Sequence, residues 1–120
     1  MGMKIQNGDI VLVTFPFADL KGAKLRPAVV ISSDVVNRLE DDFTVLFISS
    51  VIPEDHDPYE LVFMRKHRDF KISGLKKDSL FKANKIATIQ NHLIQKRLGV
   101  LGPGIRKELA VCFAKAVALS

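Results

Sequence analysis

Between Asp9 and Leu101 the apolar residues of this chain arrive in short, β-branched bursts. They are DIVLVTF (Asp9 to Phe15), PAVVIS, FTVLFIS, YELVFM, SLFKANKIATI and RLGVL. Proline, glycine or polar residues punctuate the series, so each burst reads as a strand, with SLFKANKIATI supplying one or two. DIVLVTF is apolar on both faces, which predicts burial on both sides, a subunit contact being one way to achieve it. The period changes only at the end. In GPGIRKELAVCFAKAVALS, Pro103 suits a first helical turn. Ile105, Leu109, Cys112, Phe113 and Ala116 recur at helical spacing, with Lys107 and Lys115 off the stripe. Many short strands followed by one amphipathic helix point to a mainly β fold, a small, strongly bent sheet or barrel, rather than alternating α/β.

A chain of 120 residues is most simply one domain, spanning 1–120. Its 48% hydrophobic and 26% charged residues are those of a globular protein rather than a disordered or membrane-embedded one. No apolar run approaches the roughly 20 residues needed to cross a bilayer. MGMKIQNGDI has no apolar signal core. The single cysteine, Cys112, has no internal disulfide partner and lies on the helical stripe, where it reads as a small buried hydrophobe. The expected location is the cytoplasm, with no membrane partner.

The formal net charge of +5 favours polyanionic partners, and its distribution is uneven. Asp34 to Glu60 carries eight acidic residues and one basic, Arg38. Arg65 to Lys85 carries eight basic residues and two acidic, Asp69 and Asp78. The split predicts a negative and a positive face. Either could be simply a solvated surface, but the basic one has the footprint of nucleic-acid binding.

KGAKLRPAVVIS sets one arginine, Arg26, between a cationic, glycine-containing loop and an apolar strand. If PAVVIS and FTVLFIS are antiparallel neighbours joined through Asp34–Asp42, Arg26 lies beside Ser49 at the strand mouth. Guanidinium presents five donors in a planar fork suited to phosphate, and a hydroxyl completes the cradle. The alternative is that Arg26 pairs with a carboxylate and Ser49 bonds to its own backbone.

GDIVLVTFPFADLKGAKLRPAVVIS resembles the opening of the MazF/PemK family of bacterial type II toxin–antitoxin toxins. The likeness continues through VLFISS, GLKKDSLFKANKIATI and the helix after LGPG, covering nearly the whole chain. The resemblance implies an SH3-like small barrel with a C-terminal helix, usually a homodimer. It implies a metal-independent endoribonuclease that cuts single-stranded RNA, needs no cofactor, and is blocked by a cognate antitoxin threaded over the same groove. Carried over by position, the catalytic pair is Arg26 and Ser49, where relatives most often have threonine. Ser50 is the neighbouring hydroxyl. Lys21 and Lys24 are placed to track an RNA backbone, and Phe17, which flanks Pro16 with Phe15, either stacks on a base or, as the default for both, packs in the core. Asn84 and Lys85 stand where some relatives carry acidic or glutamine residues, which bears on the target sequence. LGPGI departs from the common Ser-Pro-Glu helix start and bears only on the cap.

The implied chemistry is attack of a ribose 2′-hydroxyl on the adjacent phosphorus, giving a cyclic phosphate and a 5′-hydroxyl. The substrate supplies the nucleophile, so no Ser–His–Asp or Cys–His set is required, and DNA is inert. His56, His67 and His92 have no metal-ligand spacing, and H-E-x-x-H and C-x-x-C are absent from the sequence. The Lys21–Lys24 loop lacks the full phosphate-loop pattern, so a nucleotide triphosphatase is rejected. Two other readings compete: a toxin of the same fold that binds a protein target, as gyrase-directed relatives do, and a catalytically silent RNA-binding module.

Overall fold

The computed structural model describes residues 4–15 and 24–119. The strands are β1 (Asp9–Phe15), β2 (Lys24–Val30), β3 (Asp42–Ser49), β4 (Glu60–Phe63), β5 (Ser79–Gln90) and β6 (Ile94–Val100). Helix α1 (Asp34–Leu39) joins β2 to β3, α2 (Phe70–Ser73) lies between β4 and β5, and α3 (Pro103–Ala116) ends the chain. A tight helical turn, Asn91–Leu93, separates β5 from β6. All six strands form one antiparallel sheet in the order β4-β5-β3-β2-β1-β6.

Alternation along these strands sends apolar side chains to both faces, and each face has its own core. Ile10, Val29, Leu46, Ile48, Phe63 and Phe81 form one cluster, which α3 covers with Ile105 and Leu109. Val11, Val13, Ala28, Val30, Phe43 and Val45 form the other, joined by Ile5, Ile89 and Ile94. The sheet reaches this second closure by curling, and register shifts between Ile10 and Val11, between Leu12 and Val13, and between Leu46 and Ile48 mark where it bends. The fold is thus the mainly β, SH3-like small barrel with a C-terminal helix that the sequence led us to expect. The double apolar face of β1 is buried within the chain itself, with no subunit contact needed to cover it.

The helical stripe falls as expected: Ile105, Leu109 and Cys112 are buried, and Phe113 and Ala116 pack against the first cluster. Two helices were not anticipated. α1 starts at Ser33, whose hydroxyl accepts from the Val36 N–H at 3.3 Å, and it buries none of its residues. α2 is only four residues long. Strand β6 starts at Ile94, three residues earlier than RLGVL suggests, because pairing with β1 extends it through polar residues.

Candidate functional site

Strand β2 pairs with β3 with Ala28 opposite Phe47, Val29 opposite Leu46 and Val30 opposite Val45. Continuing that register by two residues sets Arg26 opposite Ser49. The ladder itself stops at Ala28, and Pro27 explains why. Proline has no N–H to donate, and β2 still pairs with β1 through Pro27 and Arg26, so the missing donor faces β3. The two strands are released from each other where Arg26 and Ser49 face across the gap.

Beside that gap lies a groove of about 410 Å³. This is within the roughly 300–1,000 Å³ usual for ligand clefts. Its lining includes Leu12, Leu25, Pro27, Ile48, Leu75 and Leu98 as an apolar floor. Arg26, Ser49 and Ser50 line it as well, as do Lys76, Lys77 and Lys96, and no carboxylate is among the described lining residues. Arg26 is exposed, and among the described residues its side chain makes no ion pair or hydrogen bond. Ser49 is partly engaged: its Oγ accepts the Val51 N–H at 3.0 Å, and its own O–H meets the Val51 carbonyl at 3.4 Å. The local-backbone alternative therefore holds for the serine as an acceptor, while the hydroxyl proton sits in a long, weak contact.

The other residues singled out from the sequence divide. Ser50 and Lys24 are exposed, Ser50 in the groove and Lys24 at the start of β2. Lys21 and Phe17 lie outside the described residues. Lys76, Lys77 and Lys96 were missed. The backbone that carries Lys76 and Lys77 is held by specific contacts. Gly74 ends α2 in the left-handed region at φ 74°, and a Cβ there would lie 2.0 Å from the Leu98 carbonyl oxygen of β6. The Asp78 carboxylate accepts the Arg65 N–H at 2.7 Å, and the Ser79 hydroxyl donates to the Lys77 carbonyl at 2.7 Å. These contacts fix the α2–β5 loop that carries Lys76 and Lys77.

None of the histidines lines the groove. His67 has a structural place: its Nδ1 accepts the Asp69 N–H at 3.0 Å, so Nε2 is the donor to Glu108, 2.9 Å away, and its ring packs edge-on against Phe63. His56 and His92 are exposed. Tyr59 donates to Asp57 at 3.1 Å, and this bond with the nearby carboxylate charge raises its pKa above 10.0. A second cavity, about 190 Å³ between the sheet and α3, is apolar apart from Asn7 and Arg106, which bond to each other at 2.7 Å. No group of three or more His, Cys, Asp or Glu suited to a metal occurs among the described residues. No helix among them is long and apolar enough to cross a membrane.

Solved structures share this fold. A MazE–MazF complex from Deinococcus radiodurans matches with a TM-score of 0.74 over 98% of this chain and 100% of that one, at 16% identity. An endoribonuclease in complex with its cognate antitoxin, from a mycobacterial species, matches with a TM-score of 0.73 over 97% of both chains, at 18% identity. A MazF toxin of Mycobacterium tuberculosis gives 0.70 over 90% of this chain and 94% of that one, at 18% identity. No curated protein sequence matches. The model of the PemK-like, MazF-like toxins matches residues 6–117. The chain belongs to the PemK-like, MazF-like toxin family of type II toxin–antitoxin systems.

Proposed function

We propose that this protein is the toxin of a type II toxin–antitoxin pair and a metal-independent endoribonuclease that cuts single-stranded RNA in the groove at the β2–β3 mouth. The observation that carries this reading is the approach of Arg26 and Ser49 to one cleft whose described lining residues include several cations and no carboxylate. In the reaction, the 2′-oxygen bonds to phosphorus and the bond from phosphorus to the 5′-oxygen breaks. The proton lost by the 2′-hydroxyl is balanced by the one gained at the 5′-oxygen. The products are a cyclic phosphate and a 5′-hydroxyl.

Arg26 keeps its proton at neutral pH, so its part is electrostatic: it stabilises charge growing on the phosphoryl oxygens. The Ser49 hydroxyl rotates from its long contact with Val51 to donate to the same phosphate, keeping the Val51 N–H bond that orients its oxygen. Ser50, Lys24, Lys21 and Phe17 contact the RNA around that phosphate. Positive charge and nucleophile are both supplied without a metal or cofactor. The protein acts in the cytoplasm as a homodimer and is silenced by an acidic antitoxin segment laid over the same basic groove. Retention of both the arginine and a hydroxyl favours cleavage over a protein-targeting toxin or a silent RNA-binding module.

The test is incubation of purified, antitoxin-free protein with long single-stranded RNA in EDTA. Fragments ending in a cyclic phosphate are expected, with the matching DNA left whole. RNA that survives intact overturns the proposal.

A further inference from the structure

Three lysines of the groove have no role in holding the fold. Lys76, Lys77 and Lys96 are exposed, and none makes an ion pair or side-chain hydrogen bond among the described residues. The position of Lys96 follows from register. It stands opposite Leu12 on β1, which in turn stands opposite Pro27 on β2. Residues directly opposite share a face of the sheet, so Lys96 rises from the face that forms the groove floor. Strand β6 is two strands from β2, roughly 10 Å at the usual strand spacing. Arg26, opposite Val13, leaves β2 from the other face and reaches the groove at the strand mouth, so the two cations meet different phosphates. Lys76 and Lys77 approach from the α2–β5 loop, held by Gly74, Asp78 and Ser79. Among the described residues four cations and no carboxylate line this cleft, and they repel each other until a polyanion enters it.

We propose that Lys76, Lys77 and Lys96 form a second phosphate-binding wall, which grips the nucleotides flanking the cleaved bond and takes no part in breaking it. This rests on the reading of the groove as an RNA site. Ammonium groups are strongly hydrated point charges without the planar fork of arginine, so the wall holds backbone and carries no base preference.

Binding of a single-stranded 2′-deoxy oligonucleotide, which the proposed reaction cannot cut, is measured against salt for the wild type and for the Lys76→Ala/Lys77→Ala/Lys96→Ala variant. Each lost phosphate contact lowers the log–log salt slope by about 0.7 for a single strand, so the triple variant should be shallower by about 2. With RNA, its KM should rise while kcat stays within about twofold, and Lys96→Arg alone should bind nearly as the wild type does. An unchanged thermal midpoint confirms that the variant is folded. An unchanged slope and KM overturn the wall, as does a fall in kcat matching the fall in kcat/KM. A wild type that binds the oligonucleotide but leaves RNA intact removes the cleavage reading and keeps the wall. A wild type that binds no single strand removes both.

Discussion

Replacing Asp69 with alanine tests how α3 is anchored to the barrel. The helix begins at Pro103 behind Gly102, an N-cap with no side chain to offer. Asp69, from the turn before α2, supplies the missing acceptor: its Oδ2 takes the Ile105 N–H at 2.8 Å. Both partners are buried, Asp69 at 7% exposure and Ile105 at 0%, so water cannot readily replace the carboxylate. Loss of a helix cap usually costs about 1 kcal/mol, within a range of 0.5–2. A stranded buried N–H costs about 1–3 kcal/mol. These describe one event, so Asp69→Ala should cost about 2 kcal/mol. For a chain of this size, that corresponds to a fall of about 8 °C in Tm. Asp69→Asn keeps an acceptor and loses only the charge at the helix N-terminus, worth about 0.3–1 kcal/mol. Urea titrations with matched m-values give both figures. A Cβ added at Gly102 would lie 2.5 Å from the Asp69 Cγ, an atom that alanine lacks, so Gly102→Ala should be less costly in the Asp69→Ala background than alone. An Asp69→Ala loss below about 0.5 kcal/mol, the bottom of the range for caps, would refute the long-range cap. So would an Asp69→Asn variant as unstable as the alanine one.

Arg26→Ala should lower the cleavage rate by about 10²–10³ with an unchanged Tm, since its side chain is exposed and takes no part in the core. Unchanged cleavage by that variant would remove Arg26 from the chemistry. Ser49→Ala should also slow cleavage, and Ser49→Thr should restore it, both read as single-turnover rates. Tyr59 is the chain's single tyrosine, so its ultraviolet titration is unambiguous; the midpoint should lie above 10.0 and fall in Asp57→Asn, which removes the carboxylate responsible. Gly74→Ala forces a Cβ onto the Leu98 carbonyl at positive φ, and the conformational part alone should cost roughly 1–2 kcal/mol in a urea titration.

The strands were legible because burial on two faces demands β-branched, apolar runs, and such runs are dense and short in this chain. The Arg26–Ser49 approach was legible for a related reason. Once PAVVIS and FTVLFIS are made antiparallel neighbours, chain geometry alone brings the start of one to the end of the other, and the observed register agrees. What stayed hidden has no period to betray it. Helix α1 buries nothing, so SDVVNRLEDD shows no stripe, and its one signal was Ser33 placed to cap Val36. The first residues of β6 are polar and exposed beyond Ile94, so only pairing with β1 makes them a strand. The lysine wall depends on that same pairing. Lys96 is far in sequence from Arg26 and reaches the groove only because β6 returns along β1, a long-range fact that local composition does not encode.

The basic groove raises a problem of charge balance that the fold resolves with backbone amides. The chain has 13 acidic residues, and a carboxylate free to swing into the cleft would cancel the field that a polyanion needs. Several of the described acidic residues on the elements around the groove are given fixed partners instead. Asp78, next to Lys77, is held by the Arg65 N–H, and Asp69 by Ile105 of α3. Asp9, 2% exposed at the start of β1, accepts the Gln6 N–H at 2.8 Å and pairs with Arg97 at 3.2 Å. Asp34 takes the Asn7 N–H at 2.7 Å, at the far end of β2 from Arg26. Each carboxylate thus does structural work as an acceptor and is tethered by the group it satisfies. In the Arg65–Lys85 segment the acids knit the turn and the helix start, which leaves Lys76 and Lys77 without a carboxylate partner among the described residues. The uneven charge seen in the sequence is therefore part of how the loop is built: removing its aspartates to make the groove more basic would loosen the loop that presents the lysines.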